Sequence, residues 1–228
     1  MIDSLPTPSP TVAIGFTILP PLLALIVVAG LARTCGPKRA GIGAAAFLVW
    51  LALTGVLAAI GFFDAWAPPR LILVLIAVIA VLIWASRAGW AARLASLPLG
   101  LLVGFQSFRI LVELLIHRAV AEGVAAPTLT WTGTNFDMIP GISALLLAPF
   151  AHRIPRRGLQ GWNIASALVL LFTVVTALLA TPTPFQQIHG DPPNVWIATF
   201  PFVWLPAVLV LCAWLGHIVL FRRLAGSN

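Results

Sequence analysis

Four polar residues fall at helical spacing inside an otherwise apolar run: Gln106, Arg109, Glu113 and His117. An α-helix turns about 100° per residue. With Arg109 at zero, Glu113 lies near 40°, Gln106 near 60° and His117 near 80°, so the four share roughly a quarter of the circumference. Such a set can hold an anion or carboxylate on the guanidinium, move a proton through the carboxyl and imidazole, or lock two helices together. Asn135 and Asp137 follow a polar loop and are expected at the outer mouth of the same stripe. The start of the helix after them offers free backbone N–H groups that favour an anion.

Three readings of the stripe follow. In the first it is a polar pocket with ligand-binding residues Gln106, Arg109, Glu113, His117, Asn135 and Asp137, and His117 titrates near neutral pH. In the second it is a closed network, an Arg109–Glu113 pair at i,i+4 with His117 hydrogen-bonding Asp137. In the third, Glu113, His117 and Asp137 hold a metal; no HxxxH, HExxH or cysteine cluster supports this. No catalytic residue is assigned.

The elements that carry these residues are set by composition. The chain has 228 residues, 61% hydrophobic and 8% charged. A soluble domain carries about 25% charged residues, so a lipid bilayer is the expected solvent. The reading is an all-α polytopic membrane protein, one domain over 1–228, with spans at about 12–32, 42–63, 71–85, 97–117, 136–151, 162–180 and 195–221. Pro20-Pro21 should kink the first span, and Pro201 and Pro206 should break the outer half of the seventh. The start, with Asp3 and no basic stretch, does not resemble a cleaved signal.

Ten of the thirteen basic residues fall in alternate gaps: Arg33, Lys38 and Arg39; Arg87 and Arg93; Arg153, Arg156 and Arg157; Arg222 and Arg223. The opposite side holds Arg70 and Arg118 with Asp3, Asp64, Glu122, Asp137 and Asp191. Basic loops stay on the cytoplasmic side, which predicts the N-terminus outside and the C-terminus inside. The net charge of +7 is therefore topological and not a nucleic-acid surface. Trp66, Trp131 and Trp196 at outer ends, with Trp84, Trp90 and Trp162 at inner ends, predict an interfacial aromatic belt.

Other chemistry is excluded or given a modest role. The only lysine, Lys38, lies in a loop, so retinal has no attachment point. His117 and His217 lie at opposite depths and cannot share one haem. No cofactor is predicted. His217 is read as a snorkelling or capping residue, Asn163 as a helix–helix hydrogen bond, and Cys35 and Cys212 as free thiols. The loop with Gln186, Gln187 and His189 is solvated or acts as a lid.

Two segments carry a resemblance. Gln106-Ser107-Phe108-Arg109 with Glu113, Gly133, Asn135-Phe136-Asp137 and Gly141 form one set. Phe200-Pro201, Trp204-Leu205-Pro206, His217 and Pro68-Pro69-Arg70 form the other. Together they resemble a family of uncharacterised small seven-helix bacterial integral membrane proteins. The resemblance implies a bacterial inner-membrane location and no particular activity. The function expected is binding, transport or sensing of a small polar ligand, ion or proton, without enzymatic chemistry. The alternatives are a metal-dependent intramembrane hydrolase and a structural subunit of a membrane complex.

Overall fold

The computed structural model describes residues 6–67 and 69–226; Asp3 and Pro68 lie outside them. It is all-α and 75% helical. The main helices are α1 (Pro10–Cys35), α2 (Pro37–Ala59), α3 (Ile72–Arg87), α4 (Gly89–Leu94), α5 (Leu99–Gly104), α6 (Phe108–Ala121), α7 (Met138–Leu147), α8 (Arg156–Ala180) and α9 (Val210–Ala225).

Among the described residues, five stretches are long and apolar enough to cross a membrane: Pro10–Cys35, Pro37–Ala59, Leu99–Ala121, Arg156–Ala180 and Leu205–Ala225. The expected third span is the shorter α3, of 16 residues. The expected fifth is α7, of 10 residues, prolonged by a 3-10 turn over Ala148–Arg153. The expected seventh span does not start at 195. Trp196–Ala198 is a short 3-10 turn, and regular helix begins only at Leu205, first with π geometry. Pro201 and Pro206 lack the N–H groups that continuous helix needs there. Pro20 and Pro21, by contrast, sit inside an unbroken α1.

α9 is the most buried of the long helices and α2 the least. α9 touches α3, α4, α5 and α8, so the core forms around it. The outer faces carry aliphatic side chains left exposed, among them Leu48, Ile139, Leu146 and Leu168. A surface this apolar is matched by acyl chains and not by water. Trp196 departs from the expected belt. It is 1% exposed and packs edge-on against Phe16 and Phe202.

Contacts gather the basic gaps at one end. Arg222 donates to the Ala88 carbonyl, Arg156 to Ala225 at 3.1 Å, and Cys35 Sγ lies 3.9 Å from the Trp90 carbonyl. At the other end, Glu122 ties the end of α6 to the start of α1. Its Oε2 accepts the Ser9 backbone N–H at 2.8 Å, and its Oε1 accepts Arg118 Nε at 2.6 Å.

Within the Leu99–Ala121 stretch, Phe105–Ser107 is a 3-10 turn. Below it, a Cβ on Gly100 would lie 2.6 Å from the Ala148 carbonyl oxygen, and one on Gly104 would lie 3.1 Å from the Ala148 Cβ. This small-xxx-small pair seats α5 against the segment that follows α7.

Hydrogen bonds from Ser9 hold the Glu122 carboxyl below the usual carboxylate range. A group with a lowered folded value stabilises the fold above its unfolded value, and that contribution is lost as pH falls through the lowered one. Protection of the amides in the first turn of α1, taken relative to their intrinsic exchange rate at each pH, should therefore fall on acidification. In Glu122→Gln it should be low already at neutral pH and no longer respond to acid through this group. Hydrogen-exchange mass spectrometry of the N-terminal peptide reads both.

Candidate functional site

The Leu99–Ala121 stretch carries Gln106, in the 3-10 turn, and Arg109 and Glu113, on α6, inward, each 1% exposed. The partners differ from the i,i+4 pair expected from the sequence. Arg109 pairs with Asp137, not Glu113. Its Nε donates to Asp137 Oδ2 at 3.0 Å, and its Nη2 donates to Oδ1. This two-point fork suits a planar guanidinium against a carboxylate. Arg109 Nη1 donates to Ser166 Oγ at 3.0 Å and to the Ser166 carbonyl at 3.4 Å. Residues at i,i+4 on one helix project side by side, whereas Asp137 faces Arg109 across the α6–α7 gap.

Glu113 is held by neutral donors. The Trp131 backbone N–H donates to Oε1 at 2.8 Å and Asn135 Nδ2 to Oε2 at 2.6 Å. Asn135 uses all its capacity. Its second amide hydrogen goes to the Leu129 carbonyl at 3.0 Å. Its Oδ1 accepts the Asp137 backbone N–H at 2.9 Å and the Thr173 hydroxyl at 3.0 Å. The bond from Asp137 N–H back to Asn135 is an Asx turn, which sets the start of α7. The Thr173 hydroxyl also stands 3.0 Å from Asp137 Oδ1. It has one hydrogen for the two acceptors.

His117 does not reach Asp137. It stacks on Trp131 with ring centroids 4.1 Å apart, and its buried Nδ1 has no partner among the described residues. His217 is not a snorkelling residue either. It is 1% exposed, with Nδ1 2.8 Å from Asn163 Oδ1. Gln106 donates to the Ala213 carbonyl at 3.0 Å. Among the described residues no group of three or more His, Cys, Asp or Glu is placed to hold a metal.

Sequence reasoning misses Ser166 and Thr173, and it takes Trp131 only as part of the aromatic belt. A signal for two of them was available: Asn163, Ser166 and Thr173 fall within about 80° on α8. Trp131 enters through its backbone, so its residue type could not announce it.

A cavity of about 200 Å³ runs past Arg109, Glu113, Asn135, Asp137 and Thr173. The rest of its wall is mainly aliphatic, from α3, α6, α8 and α9, and it reaches the loop residues Pro69, Thr183 and Phe185. A single water needs on the order of 10–15 Å³ by a comparable measure, so the space suits a small molecule or several waters. Gln186, Gln187 and His189 are not among the residues that line it.

Two carboxylates, Glu113 and Asp137, share this wall with one guanidinium, and Asp137 already occupies the guanidinium. No protein-family model, curated protein or solved structure matches the chain.

Gly141 sets how closely α7 approaches. A Cβ there would meet Ile110 Cγ1 at 2.8 Å and the Ile110 backbone nitrogen at 3.0 Å. Gly141→Ala should lower the melting temperature in detergent, whereas Gly161→Ala, with nothing within 4 Å, should leave it level or raise it. Arg109→Ala should cost about 3–5 kcal/mol, because it leaves Asp137 without its counter-charge in a low-dielectric interior. Reversible unfolding measured against Arg109→Lys checks this. Lysine keeps the charge but not the fork, so its loss should be smaller.

Proposed function

We propose that the chain is a seven-span inner-membrane protein that binds a small cationic or protonatable ligand, or a proton, as a transport or sensing unit. The observation that carries this is the polar set Arg109, Glu113, Asn135, Asp137 and Thr173 on the wall of one cavity inside an apolar bundle. Ionisable groups within a bilayer are costly, and they concentrate at ligand, ion and proton sites.

The spare acid gives the sign. Arg109 is neutralised by Asp137 through two hydrogen bonds, which removes it as a free anchor for an anion. Glu113 has only neutral donors in contact. A protonated amine, a monovalent cation or a proton supplies the charge it lacks. The gathering of basic residues at one end favours that end facing the cytoplasm, with the cavity on the outer half. α3 and α7 complete the proposed seven crossings. The short α7 fits a bundle that is thinned locally by its neighbours.

Purified protein in detergent, screened by thermal shift against small primary amines, monovalent cations and small carboxylates, tests this reading. At least one amine or cation should raise the melting temperature, and Glu113→Gln should abolish the rise. A rise with carboxylates alone, or one that Glu113→Gln leaves intact, would refute the assignment.

A further inference from the structure

A second buried polar cluster joins the 3-10 turn before α6 to α8 and α9, on the far side of Arg109 from Glu113. Gln106, Asn163 and His217 are each 1% exposed or less. Asn163 Nδ2 donates to the His217 backbone carbonyl at 3.2 Å, and this fixes which way the amide points. Asn163 Oδ1 then faces the imidazole, 2.8 Å from Nδ1. An amide oxygen only accepts, so Nδ1 carries the hydrogen and the neutral ring presents Nε2 as a bare lone pair. That nitrogen is buried and has no partner among the described residues. Gln106 Oε1 is in the same position, since its amide nitrogen is committed to the Ala213 carbonyl. Gln106 packs against Gly216, the residue next to His217. Two buried acceptors thus stand beside the same turn of α9 without a donor, an arrangement that native interiors rarely tolerate.

The cluster is wired to the cavity. Arg109 of α6 lies one turn from Gln106 and bonds Ser166, one turn from Asn163 on α8. α8 presents only the uncharged Asn163 and Ser166, and Trp214 of α9 stands 6.2 Å from the ring by centroids. The remaining cations of the packed elements, Arg87 of α3, Arg93 of α4, Arg156 and Arg157 of α8 and Arg222 and Arg223 of α9, belong to the basic end. Buried Cys212 is the other titratable group of α9.

We propose that His217 Nε2 is an internal proton acceptor, loaded on acidification, whose proton affinity is coupled through Arg109 to the cavity, so that a cation arriving at Glu113 and Asp137 weakens it. This rests on the cation reading given above. The step balances simply: a proton from hydronium bonds to the Nε2 lone pair, imidazolium and water result, and Nδ1–H stays on Asn163. With Asp137 on Arg109, the guanidinium is neutralised and a second positive charge at His217 is tolerated. When a cation competes for Asp137, the guanidinium field is bared, and Nε2 returns its proton to water as hydronium.

The test is ¹⁵N NMR of the histidine rings in the full chain, in phosphatidylcholine–phosphatidylglycerol vesicles, with His217→Gln used to assign the signal. At neutral pH, Nε2 should resonate as an unprotonated acceptor. On acidification it should convert to imidazolium. Asp137→Asn should move that midpoint down by on the order of one pH unit, and Glu113→Gln should move it the same way by less. Glu113→Gln serves alone if Asp137→Asn does not fold. A ring protonated at Nε2 in its neutral form, or a midpoint that neither substitution moves, would overturn the proposal. The titration needs no ligand, so a failed amine screen with a responsive His217 would remove the cavity reading and leave the proton site standing.

Discussion

A guanidinium in an apolar interior must keep its counter-charge, and that requirement organises the centre of this protein. Arg109 sits 1% exposed on α6, and its charge is met from another helix. The demand is geometric as well as electrostatic. The fork fixes the distance and tilt of Asp137, and Asp137 starts α7. The missing side chain at Gly141 lets α7 come close enough for the pair to close. Ser166 holds the remaining edge of the guanidinium and so ties α8 to the same point. Three helices are thus positioned by one cation.

The other polar residues follow from satisfying what this pair brings into the interior. Asn135 makes four hydrogen bonds and leaves no part of its amide free, so the turn before α7 is rigid. Glu113 takes an amide and a backbone N–H because the nearby cation is already occupied. An acid without a cation in contact is costly in such a place. Around this centre the scaffold is conventional. α9 fills the core, aliphatic faces look outward, and arginines collect at one end.

Much of this was legible in the residues. The apolar runs gave α1, α2, Leu99–Ala121 and α8, since length and composition alone make them helical in lipid. The inward face of Gln106, Arg109 and Glu113 followed from helical spacing, because no other face could carry them. Asn135 and Asp137, expected at the mouth of the stripe, bond Glu113 and Arg109. What spacing could not give was the pairing. Along one helix, Arg109 and Glu113 look like partners, and the competing contact depends on how α7 packs. His117 was misread for the same reason: stacking on Trp131 depends on the path of an irregular loop. Pro201 and Pro206 signalled a break in the last span, but not that regular helix would wait until Leu205. His217 looked peripheral from its distance to the chain end, whereas its burial comes from Asn163 on α8. That polar face of α8 was in the sequence, and its small side chains made it easy to pass over.

The claim on which the account turns is that Arg109 and Asp137 act as one unit. A double-mutant cycle measures this directly, through the unfolding free energies of wild type, Arg109→Gln, Asp137→Asn and the combined variant. The account predicts strong coupling, with the second substitution costing far less once the first is made, by more than about 2 kcal/mol. Additivity within about 0.5 kcal/mol would mean that the two side chains do not depend on each other, and would contradict it.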